Sequence, residues 1–144
     1  MDIPSNFHTL KGYQLIDKPK LTASMEDYLE MIYRLLKTQP HVRIKLLAKK
    51  LNVRPPSASK MVHQLKNMEL VDFEKYGNIK PTQKGLMLGN YFLYRHDVLM
   101  EFLCLVNNTS DELEQVEKIE HFVEERTVYN LDKCINVLKS IKKD

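Results

Sequence analysis

A chain of 144 residues is long enough for one or two small domains with a real core, but too short for a large enzyme. Its hydrophobic content of 43% and charged content of 28% are those of an ordinary soluble globular protein. No apolar run reaches the length of a membrane span, no signal-peptide pattern opens the chain, and Cys104 and Cys134 are too few for a disulfide framework. We therefore expect a cytoplasmic protein without a membrane partner.

The net charge of +3 conceals an uneven distribution. Residues 1–82 contain fourteen Lys and Arg against eight Asp and Glu, a balance of +6. Residues 83–144 contain eight against eleven, a balance of −3. This asymmetry favours a polyanion as the partner of the first part, and a cation or a protein as the partner of the second.

Residues 1–22 are predicted to form an N-terminal arm, because Pro4, Gly12 and Pro19 prevent a long helix. The arm contains enough apolar side chains to favour packing on the body of the protein.

A first helix is predicted over about residues 24–38, opened by Ser24 and carrying apolar side chains at helical spacing. Asp27 and Glu30 share its opposite face. They are either surface acids, one of them complementing the helix dipole, or a pair of carboxylates able to bind a metal.

Two short helices follow, over residues 42–51 and about 56–68, separated by a break at Asn52-Val53-Arg54. The second begins at Pro55-Pro56, where a missing N–H is tolerated. Opposite its apolar stripe lie the hydrogen-bonding side chains Ser57, Ser59, Lys60, His63, Gln64 and Asn67. The pattern indicates either a helix-turn-helix whose second helix reads DNA, with Arg54 and Pro56 at its start, or an ordinary helical hairpin.

The next segment favours the DNA-binding interpretation. Residues 70–76 alternate apolar and polar as a strand does, Gly77-Asn78 is a hairpin turn signal, and residues 79–81 return. A helix-turn-helix followed by a β-hairpin is a winged helix, and Lys75, Tyr76 and Lys80 are expected on the wing, within reach of the DNA backbone. The winged-helix domain is predicted to span residues 23–82.

Residues 83–144 are predicted to form an all-α domain for metal binding and dimerisation. A long helix over about 83–107 is apolar nearly all round, so it needs a partner surface, and a homodimer is the simplest solution. His96 lies on this helix, where a lone histidine is more often part of a core than a ligand. A last helix is predicted over about 128–142.

Between these two helices, Glu117, Glu120 and His121 follow the i, i+3, i+4 spacing that places side chains on one helix face. Carboxylates and imidazole suit a divalent metal that prefers oxygen and nitrogen to sulfur. A solvated acidic face is the commoner explanation of such a cluster.

Taken together, these segments resemble the diphtheria-toxin-repressor family of metal-dependent transcriptional regulators, most closely its manganese transport regulator branch. The resemblance is carried by Ser24-Met25-Glu26-Asp27-Tyr28-Leu29-Glu30, Pro56-Ser57-Ala58-Ser59-Lys60-Met61-Val62, Glu74-Lys75-Tyr76, Tyr94-Arg95-His96 and Ile119-Glu120-His121. It covers about residues 23–142.

The resemblance implies that a metal is bound by Asp27, Glu30, His96, Glu117, Glu120 and His121. It implies Mn²⁺, with two ions per subunit as in the family, and Fe²⁺, Co²⁺ or Zn²⁺ as ions that the same ligands would accept. It further implies a homodimer that binds operator DNA when loaded with metal and represses metal-uptake genes.

The chain departs from the family pattern in its arm, and we expect it to lack the additional C-terminal domain of the longer members, as the manganese branch does. His63 and Gln64 follow no family consensus, so the operator sequence stays open. Three alternatives remain: an iron-responsive regulator of the same family, a winged-helix protein indifferent to metal, and a dinuclear metal hydrolase. A regulator is expected rather than an enzyme.

Overall fold

The computed structural model of the protein describes residues 21–74 and 77–142, which form six α-helices, three short strands and one 3₁₀ turn. The helices are α1 (Ala23–Leu36), α2 (Ile44–Leu51), α3 (Pro55–Asn67), α4 (Gln83–Asn107), α5 (Leu113–Ile119) and α6 (Glu125–Lys142). The strands are β1 (Val42–Arg43), β2 (Val71–Phe73) and β3 (Asn78–Pro81), and the 3₁₀ turn spans Glu120–Phe122. The predicted fold, mainly α with a winged helix-turn-helix followed by helices, is confirmed.

The helix-turn-helix is formed by α2 and α3. Asn52 ends α2 in the left-handed conformation, at φ 55°, and α3 begins with proline, whose fixed φ suits the first turn of a helix. Between α3 and α4, β2 and β3 form the antiparallel hairpin of the wing.

The sheet has a third strand that the sequence pattern did not predict. Its order is β1-β3-β2, and Val42 pairs with Ile79 at the centre of the sheet. The sequence pattern placed residue 42 in a helix, which is wrong, because Val42 and Arg43 are extended and hydrogen-bonded to β3 before α2 begins.

The described residues contain two hydrophobic clusters. The larger is the core of the winged helix and is built from side chains of α1, α2, α3 and the sheet, together with Phe92 of α4. The smaller joins α4 to α6 through Val98, Val128 and Ile135. Helix α4 therefore belongs to both halves of the molecule, and its bounds agree with the predicted 83–107.

Helices α1 and α4 pack at very short range. Tyr33 of α1 is 1% exposed and donates a hydrogen bond to the carbonyl of Leu70 over 2.9 Å. A Cβ added at Gly89 of α4 would lie 2.5 Å from the Tyr33 ring. The glycine thus allows the two helices to approach as closely as they do.

Residues 1–20 of the arm, together with Lys75 and Tyr76 of the wing, lie outside the described residues, so what was expected of them stays a prediction. Within residues 21–74 and 77–142, no helix is long and apolar enough to cross a membrane.

Candidate metal centre

Three elements bring carboxylates and imidazoles together at the junction of the two halves. Asp27 and Glu30 come from the first turns of α1, His96 comes from the middle of α4, and Glu120 and His121 come from the 3₁₀ turn. Among the described residues they form two groups able to hold an ion: Asp27, Glu120 and His121, and Glu30, His96 and Glu120. The ligand atoms of each group lie within 4.8 Å of one another, and Glu120 belongs to both.

The first group is centred on His121. Its Nε2 lies 2.9 Å from Oδ1 of Asp27 and 3.8 Å from Oε1 of Glu120. In the second group, Nδ1 of His96 lies 3.1 Å from Oε2 of Glu120 and 3.8 Å from Oε2 of Glu30. The two oxygens of Glu120 therefore face the two histidines, and the residue is only 1% exposed.

Carboxylates outnumber histidines at the site, and the pKa values of Glu30, His96 and His121 are all raised there. Burial, and after it the charge of Glu120, raises the pKa of Glu30 from 4.5 to about 7. The hydrogen bond to Glu120 raises the pKa of His96 above 6.5, against the opposing effect of burial. Burial lowers the pKa of His121, but hydrogen bonds to Asp27 and Glu26 outweigh it and raise the pKa to about 9. The raised pKa values favour the protonated forms of Glu30, His96 and His121, which offset part of the negative charge of the carboxylates.

Glu117 does not join either group formed by the described residues. The pattern predicted one continuous helix face for Glu117, Glu120 and His121, but α5 ends at Ile119 and the two later residues belong to the 3₁₀ turn. Glu117 is exposed, and it lines a cavity of about 280 Å³ together with Asp27, Glu30 and Glu120. Its role as a ligand remains a prediction.

The residues present fit a divalent cation of the Mn²⁺ class. The donors of both groups are oxygen and nitrogen, without sulfur, which matches metals that prefer carboxylate and imidazole. A carboxylate as buried as Glu120 is costly unless it is compensated, and a cation is the strongest compensation available to it.

Sequence reasoning missed Glu26 as part of this site. Its Oε1 lies 2.8 Å from Nδ1 of His121 and 3.0 Å from Nη2 of Arg95. The contacts join positions 95 and 69 residues apart, so no local spacing signals them.

Helix α3 presents the surface predicted to meet DNA. Ala58, Val62 and Leu65 are buried on its inner face. Of the predicted contacts, Arg54, Pro56, Ser57, Lys60, His63, Gln64 and Asn67 are exposed and Ser59 is half-buried. On the wing, Lys80 forms an ion pair with Glu74. The DNA contacts themselves stay predictions.

Comparison with known proteins identifies relatives of one kind. Residues 20–79 match the family model described as iron dependent repressor, N-terminal DNA binding domain. The chain is 35% identical over 119 residues to the HTH-type transcriptional regulator MntR of Oceanobacillus iheyensis, a match that covers 82% of this chain and 81% of the relative. It is 39% identical over 101 residues to MntR of Bacillus subtilis strain 168, covering 69% and 71% of the two chains.

Solved structures of manganese-dependent regulators are also similar to this chain. The manganese regulator SloR is 32% identical, with a TM-score of 0.69, over 81% of this chain and 55% of that one. A manganese-dependent transcriptional repressor in complex with manganese is 27% identical, with a TM-score of 0.67, over 78% and 52%. The chain therefore spans about half the length of these solved regulators.

The winged helix and these matches define a transcriptional regulator rather than an enzyme, which rules against the hydrolase alternative. The chain belongs to the diphtheria-toxin-repressor family of metal-dependent transcriptional regulators, in its manganese transport regulator branch.

Proposed function

We propose that this regulator is a repressor of metal-uptake genes that binds operator DNA as a homodimer when Mn²⁺ occupies the site at Glu120. The observation that carries the proposal is the sharing of Glu120 between two ligand groups, one completed by Asp27 and the other by Glu30 of α1. Such a repressor acts where the DNA is, in the bacterial cytoplasm.

The location of the ligands explains how metal would control DNA binding. Helix α1 contributes to the core of the winged helix. His96, Glu120 and His121 instead lie on elements that continue into the helical half. Asp27, Glu30 and Glu120 repel one another while they are charged. A bound divalent cation would supply the positive charge that removes this repulsion and would hold α1 against α4 and the 3₁₀ turn.

This restraint matters because a dimer must place two recognition helices in major grooves about 34–36 Å apart. Fixing α1 relative to α4 narrows the range of separations between the two α3 helices. If metal binds the competent arrangement better, it shifts the population toward it, and DNA must tighten metal binding in return. A coupling of about 1–3 kcal/mol would be typical.

Two groups that share one carboxylate support two ions per subunit, with Glu117 recruited from the cavity wall as a further ligand. Mn²⁺ is proposed because the donors include neither methionine nor cysteine. Fe²⁺, Co²⁺ and Zn²⁺ accept the same donors, so selectivity would depend on geometry and on the metal available in the cell.

The surfaces support the proposed partners. The exposed donors of α3, from Arg54 to Asn67, suit base edges and phosphates of duplex DNA. Large apolar side chains remain exposed on α4, the 3₁₀ turn and α6, among them Met87 at 70%, Phe122 at 51% and Ile141 at 65%. A homodimer would bury such side chains.

The proposal is tested by fluorescence anisotropy with a labelled duplex that carries a metal-uptake promoter from the same genome. Salt is held constant because phosphate contacts dominate affinity. Binding should be weak with chelator and should tighten as Mn²⁺ is titrated, and His96→Ala should remove the metal dependence. Sedimentation of the same samples reports whether the DNA-binding species is a dimer.

Equal DNA binding with chelator and with Mn²⁺ would contradict the proposal and leave a winged-helix protein with another signal. A response to Fe²⁺ but not to Mn²⁺ would move the assignment to the iron-responsive alternative.

A further inference from the structure

Glu26 lies between the candidate metal centre and a buried arginine. Its Oε1 is 2.8 Å from Nδ1 of His121 and 3.0 Å from Nη2 of Arg95. The side chains of Arg95 and His121 are 4% and 8% exposed, so both contacts are largely shielded from water. Glu26 belongs to neither of the two ligand groups found among the described residues.

The two ring nitrogens of His121 have different surroundings. Nε2 faces the ligand group, 2.9 Å from Asp27 and 3.8 Å from Glu120, whereas Nδ1 faces Glu26. A neutral imidazole has one N–H and one lone pair. When Nδ1 keeps its proton and donates a hydrogen bond to the Glu26 carboxylate, the lone pair is on Nε2, the nitrogen that points toward Asp27 and Glu120.

Arg95 holds the Glu26 carboxylate in this position. It directly precedes His96 on α4, and its guanidinium carbon lies 4.7 Å from the centre of the Phe92 ring. Nε of Arg95 has no hydrogen-bond partner among the described residues. Within that part of the chain, Glu26 is the carboxylate with which the Arg95 guanidinium forms an ion pair, through Nη2. A planar guanidinium packed on an aromatic ring is a rigid support for a carboxylate.

We propose that Glu26, held by Arg95, is a positioning residue of the metal site that fixes the tautomer and ring orientation of His121. The inference rests on the proposed function, because it assigns a role toward the same cation. Metal-ligating histidines commonly donate their second N–H to a carboxylate, and loss of that partner typically weakens metal binding about 10- to 100-fold. Glu26 acts through His121 and does not itself ligate the ion.

The test compares Glu26→Gln with the double variant Glu26→Gln/Arg95→Met and with the control Glu114→Gln. The double variant removes both charges of the buried pair, so it avoids leaving Arg95 buried without a counter-ion. Glu114 is an ion-paired glutamate on α5, 84% exposed and bonded to Lys118, so its variant makes the same change of charge away from the site.

Mn²⁺ affinity is measured by competition with a fluorescent chelator, without DNA. Both Glu26 variants should bind Mn²⁺ about 10- to 100-fold more weakly, and Glu114→Gln should bind as the wild type does. Two further measurements separate positioning from plain stability: the melting temperature in chelator, and the visible absorption spectrum of the Co²⁺-saturated protein. Positioning predicts a changed Co²⁺ spectrum in the double variant, whose melting temperature stays near that of the wild type.

Unchanged Mn²⁺ affinity in both Glu26 variants would overturn the inference and leave the proposed function intact. So would weaker binding that follows a lower melting temperature while the Co²⁺ spectrum at saturation stays that of the wild type, since this is the signature of a purely structural pair. Failure of the wild type itself to bind Mn²⁺ would instead refute the proposed function, and the inference with it.

Discussion

Glu120 is the most constrained carboxylate of the site. It is 1% exposed, and its oxygens lie 3.1 Å from His96 and 3.8 Å from His121. Glu117, one turn earlier, is exposed and only lines the adjoining cavity. Both glutamates were predicted as ligands, yet their surroundings differ in burial and in distance from the histidines.

This difference predicts that substitutions of the two glutamates weaken Mn²⁺ binding to different extents. Glu120→Gln should weaken Mn²⁺ binding by more than about 100-fold, beyond the range typical of outer-shell residues, because it removes a charge common to both groups. Glu117→Gln should weaken it less, by roughly tenfold or below, which is at or under the lower end of that range. Competition with a chelator gives both affinities. A larger loss for Glu117→Gln would mean that the site rearranges around the metal.

The raised pKa values predict how pH acts on the metal-free protein. The folded-state pKa is about 7 for Glu30 and about 9 for His121, against ordinary values of 4.5 and 6.5. A group whose pKa rises on folding stabilises the folded state at low pH, and this contribution is lost as pH rises through the folded value. The free energy of unfolding should therefore fall from pH 4.5 to 7 through Glu30, and from pH 6.5 to 9 through His121.

Mn²⁺ displaces the same protons, so its affinity should rise over the same range of pH. Thermal unfolding in chelator and Mn²⁺ competition, each at several pH values, test the two trends. His121→Gln should flatten the upper part of the stability profile. Stability that increases between pH 6.5 and 9 in the wild type and not in His121→Gln would contradict the assignment.

Residue types and spacing left Asp27, Glu30, His96, Glu120 and His121 open as ligands, and it was the family resemblance that indicated these residues, all of which the fold brings together. Residue types and spacing could not indicate Glu26, because its importance comes from His121 and Arg95, which approach it only in the folded chain. Nor could they show that α5 stops at Ile119, since Glu120 and His121 continue the helical spacing.

At the scale of elements, the packing of α1 on α4 decides whether the ligands meet. Tyr33 is hydrogen-bonded to Leu70, and Thr82 donates its N–H to the Tyr33 hydroxyl over 3.2 Å. The ring passes over Gly89, two helical turns before His96. The ligands on α1 and α4 are thus placed by a contact that contains no ligand.

Gly89→Ala is therefore expected to damage both stability and metal binding. The new Cβ would lie 2.5 Å from Tyr33, a ring too buried to move aside, and such overpacking costs about 1–3 kcal/mol. This exceeds the gain of about 1 kcal/mol expected from replacing glycine in a helix. Denaturant unfolding and Mn²⁺ competition measure the two effects.

The control is Asn90→Ala, an exposed position on the same helix. It should leave the free energy of unfolding within about 0.5 kcal/mol of the wild type, as is usual for surface substitutions. If Gly89→Ala changed the free energy of unfolding no more than this control, the contact with Tyr33 would not determine how closely α1 and α4 pack.

Longer elements were easier to predict than short ones. The helix over 83–107 has the predicted bounds, because its length, its cap at Thr82 and its apolar character agree. Two-residue β1 carries no periodicity, so only its pairing with β3 identifies it as a strand. The N-cap of α1 is Thr22 and not the predicted Ser24. The Thr22 hydroxyl accepts a hydrogen bond from the Met25 N–H over 3.1 Å.

At the scale of the molecule, the division of charge follows the division of structure. The balance of +6 belongs to residues 1–82 and the balance of −3 to residues 83–144, yet Asp27 and Glu30 place acidic side chains in the basic half. They face the helical half, toward His96 and His121. The exposed surface of α3 carries basic and polar side chains.

The cavity beside these carboxylates has one more consequence. Lys50 and Asn52, from the end of α2 and the turn before α3, line it together with Glu117 and Glu120. The exposed Lys50 of the helix-turn-helix thus adds a positive charge to a cavity lining that contains four carboxylates. Its presence would raise the metal concentration at which the regulator responds, and so set the threshold of the switch.

Lys50→Met should accordingly tighten Mn²⁺ binding, by roughly three- to tenfold, since a nearby positive charge is partly screened by water. Lys49→Met is the matched control, because Lys49 is also an exposed lysine of α2 but does not line this cavity. Chelator competition compares the two variants with the wild type. If both changed the affinity equally, the threshold would depend on overall charge and not on Lys50. If Lys50→Met alone shifted it, the set-point of the regulator could be tuned from within its helix-turn-helix.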